Sequence, residues 1–277
     1  MTQAGATGRG LETVVGERQM SVRSAWNRFD HYSFGAAAIL GTAAAIAGLA
    51  WVMTTPAWLA YAPAMQRVVA PFLNIQGVLF GLTLAFLAND TWSAHSQARS
   101  ALVREADALR GLRVLLEGLG QSGESLKDSV HEFTVAAADE WRSLARCETS
   151  ARAARAADHL LSQFIELERS NAVGPGTSKA IMDHIVDIQN SRSVRVGLSR
   201  VHINPLKWLS MAFLGFLTLL SIAAIHADDP EAALFAMALF GMAAAPTAAI
   251  VLIHGNPFQP PYSLSPGELL ATLGERQ

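Results

Sequence analysis

Five residues on one stretch of the chain have the types and spacing to handle ions. Gln76, Phe80, Thr83, Leu87 and Asp90 recur every three or four positions, which places them on one face of a helix. Repeated around a symmetry axis, that face makes a polar ring, an apolar constriction, a hydroxyl ring and an acidic mouth. An apolar ring gates by dewetting, and an acidic ring favours cations. The same side chains have a plainer use. Gln76 and Thr83 suit hydrogen bonds to neighbouring helices, and Asp90 suits a solvated helix end.

A second candidate is the cluster His226, Asp228 and Asp229, which combines an imidazole with two carboxylates in a short turn. It is a candidate external cation site, or an ordinary charged turn. His202 and His254 fall at the opposite ends of their helices and cannot join it within one subunit. His31, His95, His131, His159 and His184 lack the spacing of a zinc-protease helix. Glu105 and Asp107 alternate with Arg104 and Arg110, which reads as surface ion pairing. There is no phosphate-binding glycine loop, no nucleophile elbow and no pair of catalytic acids. The chain is therefore not expected to be an enzyme, and no metal or cofactor is expected. The single cysteine, Cys147, excludes an intramolecular disulfide.

The elements that position these residues follow from where charge is missing. No Asp, Glu, Lys or Arg occurs in 33–53, 68–89, 208–227 or 232–267. Each gap accommodates the roughly 20 apolar residues that cross a hydrocarbon core of about 30 Å. A soluble helix would carry charge on its outer face. We expect an all-α integral membrane protein with four transmembrane helices and a cytoplasmic helical bundle inserted between the second and third. The expected divisions are a flexible tail over 1–24, helices one and two within 33–90, the helical domain over 91–204, helices three and four within 205–254, and a tail over 255–277. The first 20 residues are polar with no apolar run, so no cleavable signal is expected there and the first span is expected to act as the targeting signal.

Helix one carries Ala37, Gly41 and Ala45 four apart, a stripe on which helix backbones approach closely. Thr55-Pro56 is expected to open a connector, and helix two to begin near Pro71. From Leu82 to Arg110 there is neither glycine nor proline, so helix two should leave the bilayer unbroken. Pro246 is an expected kink in helix four. The segment Ser265-Pro266-Gly267-Glu268 reads as a capping box opening a short helix through Leu269, Leu270 and Leu273.

The insert keeps helical spacing throughout. Leu102, Ala106, Leu109, Leu112 and Leu116 form one stripe, and Leu126, Val130, Phe133, Ala137, Trp141 and Leu144 a second. Leu160, Phe164 and Leu167 form a third, and Ile181, Ile185 and Ile188 a fourth. Breaks fall at 118–123, 148–150 and 174–176, and no sheet is expected. From 90 to 187 the chain has 15 acidic residues, and from 99 to 207 it has 15 basic ones. No basic stripe results, which argues against nucleic acid.

Four basic residues precede helix one, Arg67 alone lies between helices one and two, and none lies between three and four. Positive residues stay inside, so both termini and the insert are expected to be cytoplasmic, in a bacterial inner membrane.

Three segments carry a resemblance. They are LAFLANDTW at 84–92; Ala98-Arg99 followed by LVREADAL at 102–109; and Asn256-Pro257-Phe258 with Ser265-Pro266 and Leu269. In this order and spacing the chain resembles the bacterial bestrophin-like membrane family, named for a distant likeness to bestrophin anion channels. Asn256 stands where an aspartate is more often seen. The resemblance implies passive conduction of inorganic ions through a homo-oligomeric ring, a pentamer by analogy, set in the lipid bilayer. Helix two would line the pore. An acidic Asp90 ring on the axis would conflict with anion passage. The competing expectation is a non-conducting scaffold or sensor whose insert binds a protein partner.

Overall fold

The computed structural model describes residues 31–200, 205–260 and 262–274. The tail over 1–24, His202 and Arg276 lie outside the described residues. Nine α-helices are present among those described: α1 (His31–Met53), α2 (Pro56–Gly118), α3 (Glu124–Asp139), α4 (Trp141–Ala145), α5 (Ala151–Arg169), α6 (Pro175–Arg200), α7 (Pro205–Ile225), α8 (Pro230–Ile253) and α9 (Gly267–Ala271). A 3₁₀ turn, Gly120–Gly123, joins α2 to α3, at the glycine-rich break.

Helices α1, α7, α8 and the first part of α2 are long and apolar enough to cross a membrane. They surround two apolar clusters. One, at the end far from the insert, centres on Leu49, Trp58, Ile222 and Met237. The other, nearer the insert, holds Phe80, Leu84, Leu87, Met211 and Val251. The insert forms a helical bundle with its own core, into which all four predicted stripes fall.

Helix α2 departs from expectation at its start. It begins at Pro56, fifteen residues before Pro71, and contains Pro63 and Pro71 in its interior. The Thr55-Pro56 pair is its N-terminus. The Thr55 hydroxyl accepts a hydrogen bond from the Trp58 amide, and Pro56 sits at the first turn, where a missing N–H costs nothing. Arg67 therefore lies on a helix. At about 1.5 Å per residue, the 63 residues of α2 span roughly 95 Å, so one rod runs from the far membrane face to the tip of the bundle.

Two smaller expectations also shift. Ser265 accepts a hydrogen bond from the Gly267 amide, and α9 starts at Gly267 with no side-chain cap, so the capping box does not form. Leu269 is fully buried while Leu270 is exposed. Helix α8 continues through Pro246, the position expected to kink it.

Within the bundle, α2 packs along α6. At Gly111 of α2, an added Cβ would stand 2.5 Å from the His184 ring of α6. The Gly111→Ala change should push the two helices apart and cost about 1–3 kcal/mol. A thermal denaturation curve in detergent measures this, and adding His184→Ala should recover most of the loss.

Candidate functional site

Of the face of α2 expected to look onto an axis, Phe80 and Leu87 are buried within the protomer, Gln76 and Thr83 are half-buried and Asp90 is exposed. Ser221 of α7 donates a hydrogen bond to Gln76 Oε1 at 2.5 Å. Phe80 lies against the Phe240 ring, 5.3 Å between centroids, and against Gly215. Phe80 and Leu87 are buried among residues of α7 and α8. Thr83 donates to the Leu79 carbonyl of its own helix at 2.8 Å. Asp90 is exposed but paired with Lys207 at the start of α7, at 2.6 Å. The physical reason is the requirement for internal satisfaction. Gln76 finds its partner on the neighbouring helix, as polar side chains in lipid do, and it turns Phe80 and Leu87 inward with it. Gln76, Phe80 and Leu87 are thus packing residues, and Asp90 carries no unopposed charge.

The opposite face of α2 is open. Val78, Leu82 and Phe86 are exposed at four-residue intervals, with Val78 68% and Phe86 61% accessible. The same ladder continues through Asn89, Ser93 and Gln97, all exposed, and Gln97 donates to the Ser93 hydroxyl at 2.9 Å. The exposed face therefore turns from apolar to polar without leaving the helix.

The turn between α7 and α8 does not assemble a cation site. Asp229 caps α8, its Oδ1 accepting from the Ala232 amide at 3.0 Å. The Nδ1 of His226 lies 3.0 Å from the Ile222 carbonyl of its own helix. Among the described residues, no group of three or more His, Cys, Asp or Glu side chains is placed to hold a metal. Asp229 is the N-cap of α8, with Pro230 and Glu231 in its first turn.

The bundle holds a charged cluster that the surface reading of Glu105 missed. Asp107 and Arg110 do form an exposed pair. Glu105, however, is fully buried and bound by two contacts to Arg195 of α6, at 2.6 and 2.8 Å. Beside it, Arg192 holds Glu140 in the same two-pronged way, at 3.0 and 2.6 Å. Glu140 also accepts from the Ser150 amide at the start of α5. The Arg195 guanidinium lies over the Trp141 ring, 4.8 Å from its centroid, and Arg195 Nη1 has no hydrogen-bond partner among the described residues. Burial pushes the Glu105 carboxyl above its ordinary range, and Arg195 opposes that shift. One signal was available. Glu105 falls three residues after Leu102 and four before Leu109, and Arg192 and Arg195 fall four and seven after Ile188, so all three lie on apolar stripes.

The segment after α8 closes over this cluster. Asn256 is buried, and its amide donates to the Leu144 carbonyl at 3.1 Å, while its Oδ1 accepts from the Phe258 amide. Trp141 Nε1 donates to the Leu264 carbonyl at 2.6 Å, and Phe258 meets the Trp141 ring edge-on at 5.4 Å. Arg113 of α2 donates to the Thr272 carbonyl. Each of the three segments that carried the resemblance thus has a place: the exit of α2, the Glu105 helix, and the strap from Asn256 to α9.

The bestrophin-like domain model matches residues 40–269, which covers all three. The chain belongs to the bestrophin-like family. No match was found among curated proteins. Among solved structures, the bestrophin-like chain is similar to a bacterial bestrophin homolog from Klebsiella pneumoniae, at 11% identity and a TM-score of 0.63, over 86% of this chain and 99% of that one. A single-substitution variant of that homolog gives 12% identity and a TM-score of 0.61, over 85% of this chain and 95% of the variant. A crystal structure described as a membrane protein, also a variant, gives 13% identity and a TM-score of 0.59, over 89% and 100%. At these identities the likeness is one of fold.

Two substitutions test the cluster and its strap. Glu105→Gln leaves Arg195 buried and uncompensated and should destabilise by about 3–5 kcal/mol, whereas replacing the pair together, Glu105→Leu with Arg195→Met, should cost much less. Asn256→Asp replaces a donor with an acceptor facing the Leu144 carbonyl and should cost about 1–3 kcal/mol. Thermal unfolding of the purified protein reads both.

Proposed function

We propose that this protein is an ion channel of the inner membrane, a homo-oligomeric ring in which α2 of each protomer lines a central pore. A pentamer follows by analogy with the family. Both termini and the bundle lie in the cytoplasm, in keeping with the basic residues before the first span. The observation that carries the reading is the exposed ladder of α2. Val78, Leu82 and Phe86 form rings that a dewetted gate requires, and Asn89, Ser93 and Gln97 form the wetted vestibule below it. Inorganic ions pass without a coupled binding step, since 68–89 contains no ionisable side chain of the kind coupled transporters keep on their path. The Lys207–Asp90 pair sits beside the mouth and leaves no net charge there.

The test is conductance of the purified protein in planar bilayers. Leu82→Ala and Phe86→Ala should raise single-channel conductance by widening the constriction. Cysteines at Val78, Leu82 and Phe86 should be blocked by a water-soluble thiol reagent, and cysteines at Phe80 and Leu87 should not. A silent protein at every voltage would favour the scaffold or sensor reading, in which the bundle serves a protein partner.

A further inference from the structure

The base of the bundle carries two arginines that the fold does not use. Arg200, the last residue of α6, is exposed. Its Nη2 donates to the Thr149 hydroxyl at 3.2 Å, and among the described residues no carboxylate pairs with it. Arg146 lies three residues before Thr149 and meets only Glu148, at 3.4 Å, with 67% of its side chain accessible. A solvated pair of this kind is worth little. Arg192 and Arg195, by contrast, are each gripped by a glutamate inside the bundle.

Both free arginines stand where the chain leaves the membrane. The 24 residues of α8 rise about 36 Å, enough for a hydrocarbon core of roughly 30 Å, so His254 lies just past it. Two residues on, Asn256 bonds the Leu144 carbonyl and lies 3.8 Å from Cys147 Sγ, and Gln259 donates to the Ala145 carbonyl. Arg146 sits among these contacts. Tyr262 is 70% accessible, and its ring stacks on His254 with 5.0 Å between centroids. An exposed tyrosine at the end of a span suits the headgroup level.

The charge at this depth selects the occupant. Copies of the chain in a closed ring meet at equal heights. At this height Asp90, Glu140 and Glu148 are already held by Lys207, Arg192 and Arg146, so a second copy brings no spare carboxylate. A phosphate fixed at headgroup depth does fit, since guanidinium groups match its oxygens. We infer that Arg146 and Arg200 bind the headgroup phosphate of an anionic phospholipid in the leaflet on the bundle side, with Tyr262 at the same level. This requires only that the chain spans a bilayer, so it is independent of conduction.

The full-length protein is stripped in detergent, mixed with vesicles of phosphatidylglycerol and phosphatidylcholine in equal parts, re-extracted and weighed by native mass spectrometry. The wild type should keep phosphatidylglycerol in excess. Arg146→Gln combined with Arg200→Gln should cut that excess at least fivefold, because one basic residue at an anionic surface is worth roughly a factor of five. Glu148→Gln, which removes the competing carboxylate, should raise it. Arg169 ends α5 at the opposite end of the bundle, beside the Glu168 that accepts from Ser178 at the start of α6, and Arg169→Gln should change nothing. Every variant should keep the wild-type thermal midpoint and subunit number. Glycerol phosphate, the headgroup without chains, should not displace the lipid. No excess in the wild type, or an equal excess in the double variant, would overturn the inference. So would displacement by glycerol phosphate, which would assign the arginines to a soluble phosphate, or an altered subunit number in the double variant, which would assign them to a contact between copies.

Discussion

The molecule is organised by a demand that lipid makes of any backbone: its polar groups must be bonded within the segment itself. Helix α2 meets that demand by never stopping. Between Pro71 and Gly118 it has no interior proline, so the ladder that satisfies it in the membrane continues into the bundle. Everything else arranges itself around this rod. Helices α7 and α8 cover one side of its apolar half, and α6 covers its cytoplasmic half.

A continuous rod still needs its two environments fixed in rotation, and polar contacts do this at three levels. Far from the bundle, Gln66 of α2 donates to the Ile225 carbonyl at the end of α7. Midway, Ser221 holds Gln76. In the bundle, Arg195 grips Glu105. Each contact is made on the inward side of α2, so together they set which face remains outside. The exposed Lys207–Asp90 pair contributes little by comparison, since solvated ion pairs are worth about 0–1 kcal/mol. The buried pair acts differently. Its charges are costly to bury and more costly to separate, which makes the register of α2 against α6 hard to slip.

The sequence disclosed the helices far better than it disclosed their faces. Apolar stripes such as Ile181, Ile185 and Ile188 predicted burial correctly because water penalises their exposure on one side. Inside lipid that asymmetry vanishes. Phe80 and Phe86 are equally apolar, yet one is buried and the other open, and nothing local distinguishes them. The start of α2 was hidden for another reason. Pro63 and Pro71 look like breakers, but in an apolar setting the helix continues through them. Glu105 was misjudged because charge on a helix usually means solvent; its place on a stripe outweighed its type once Arg195 lay opposite. Asp229 was left open between a cation ligand and an ordinary turn residue, and its position before Pro230 favours the cap it forms.

The strap after α8 has a mechanical consequence. Helix α8 ends at Ile253, and three residues later Asn256 is fastened to the carbonyls that end α4. Farther on, Thr272 is held by Arg113, near the tip of α2. The chain leaving the membrane is thus pinned at both the base and the crown of the bundle. A tilt of α8 has no slack in which to dissipate, and the bundle must follow as a crank follows its shaft.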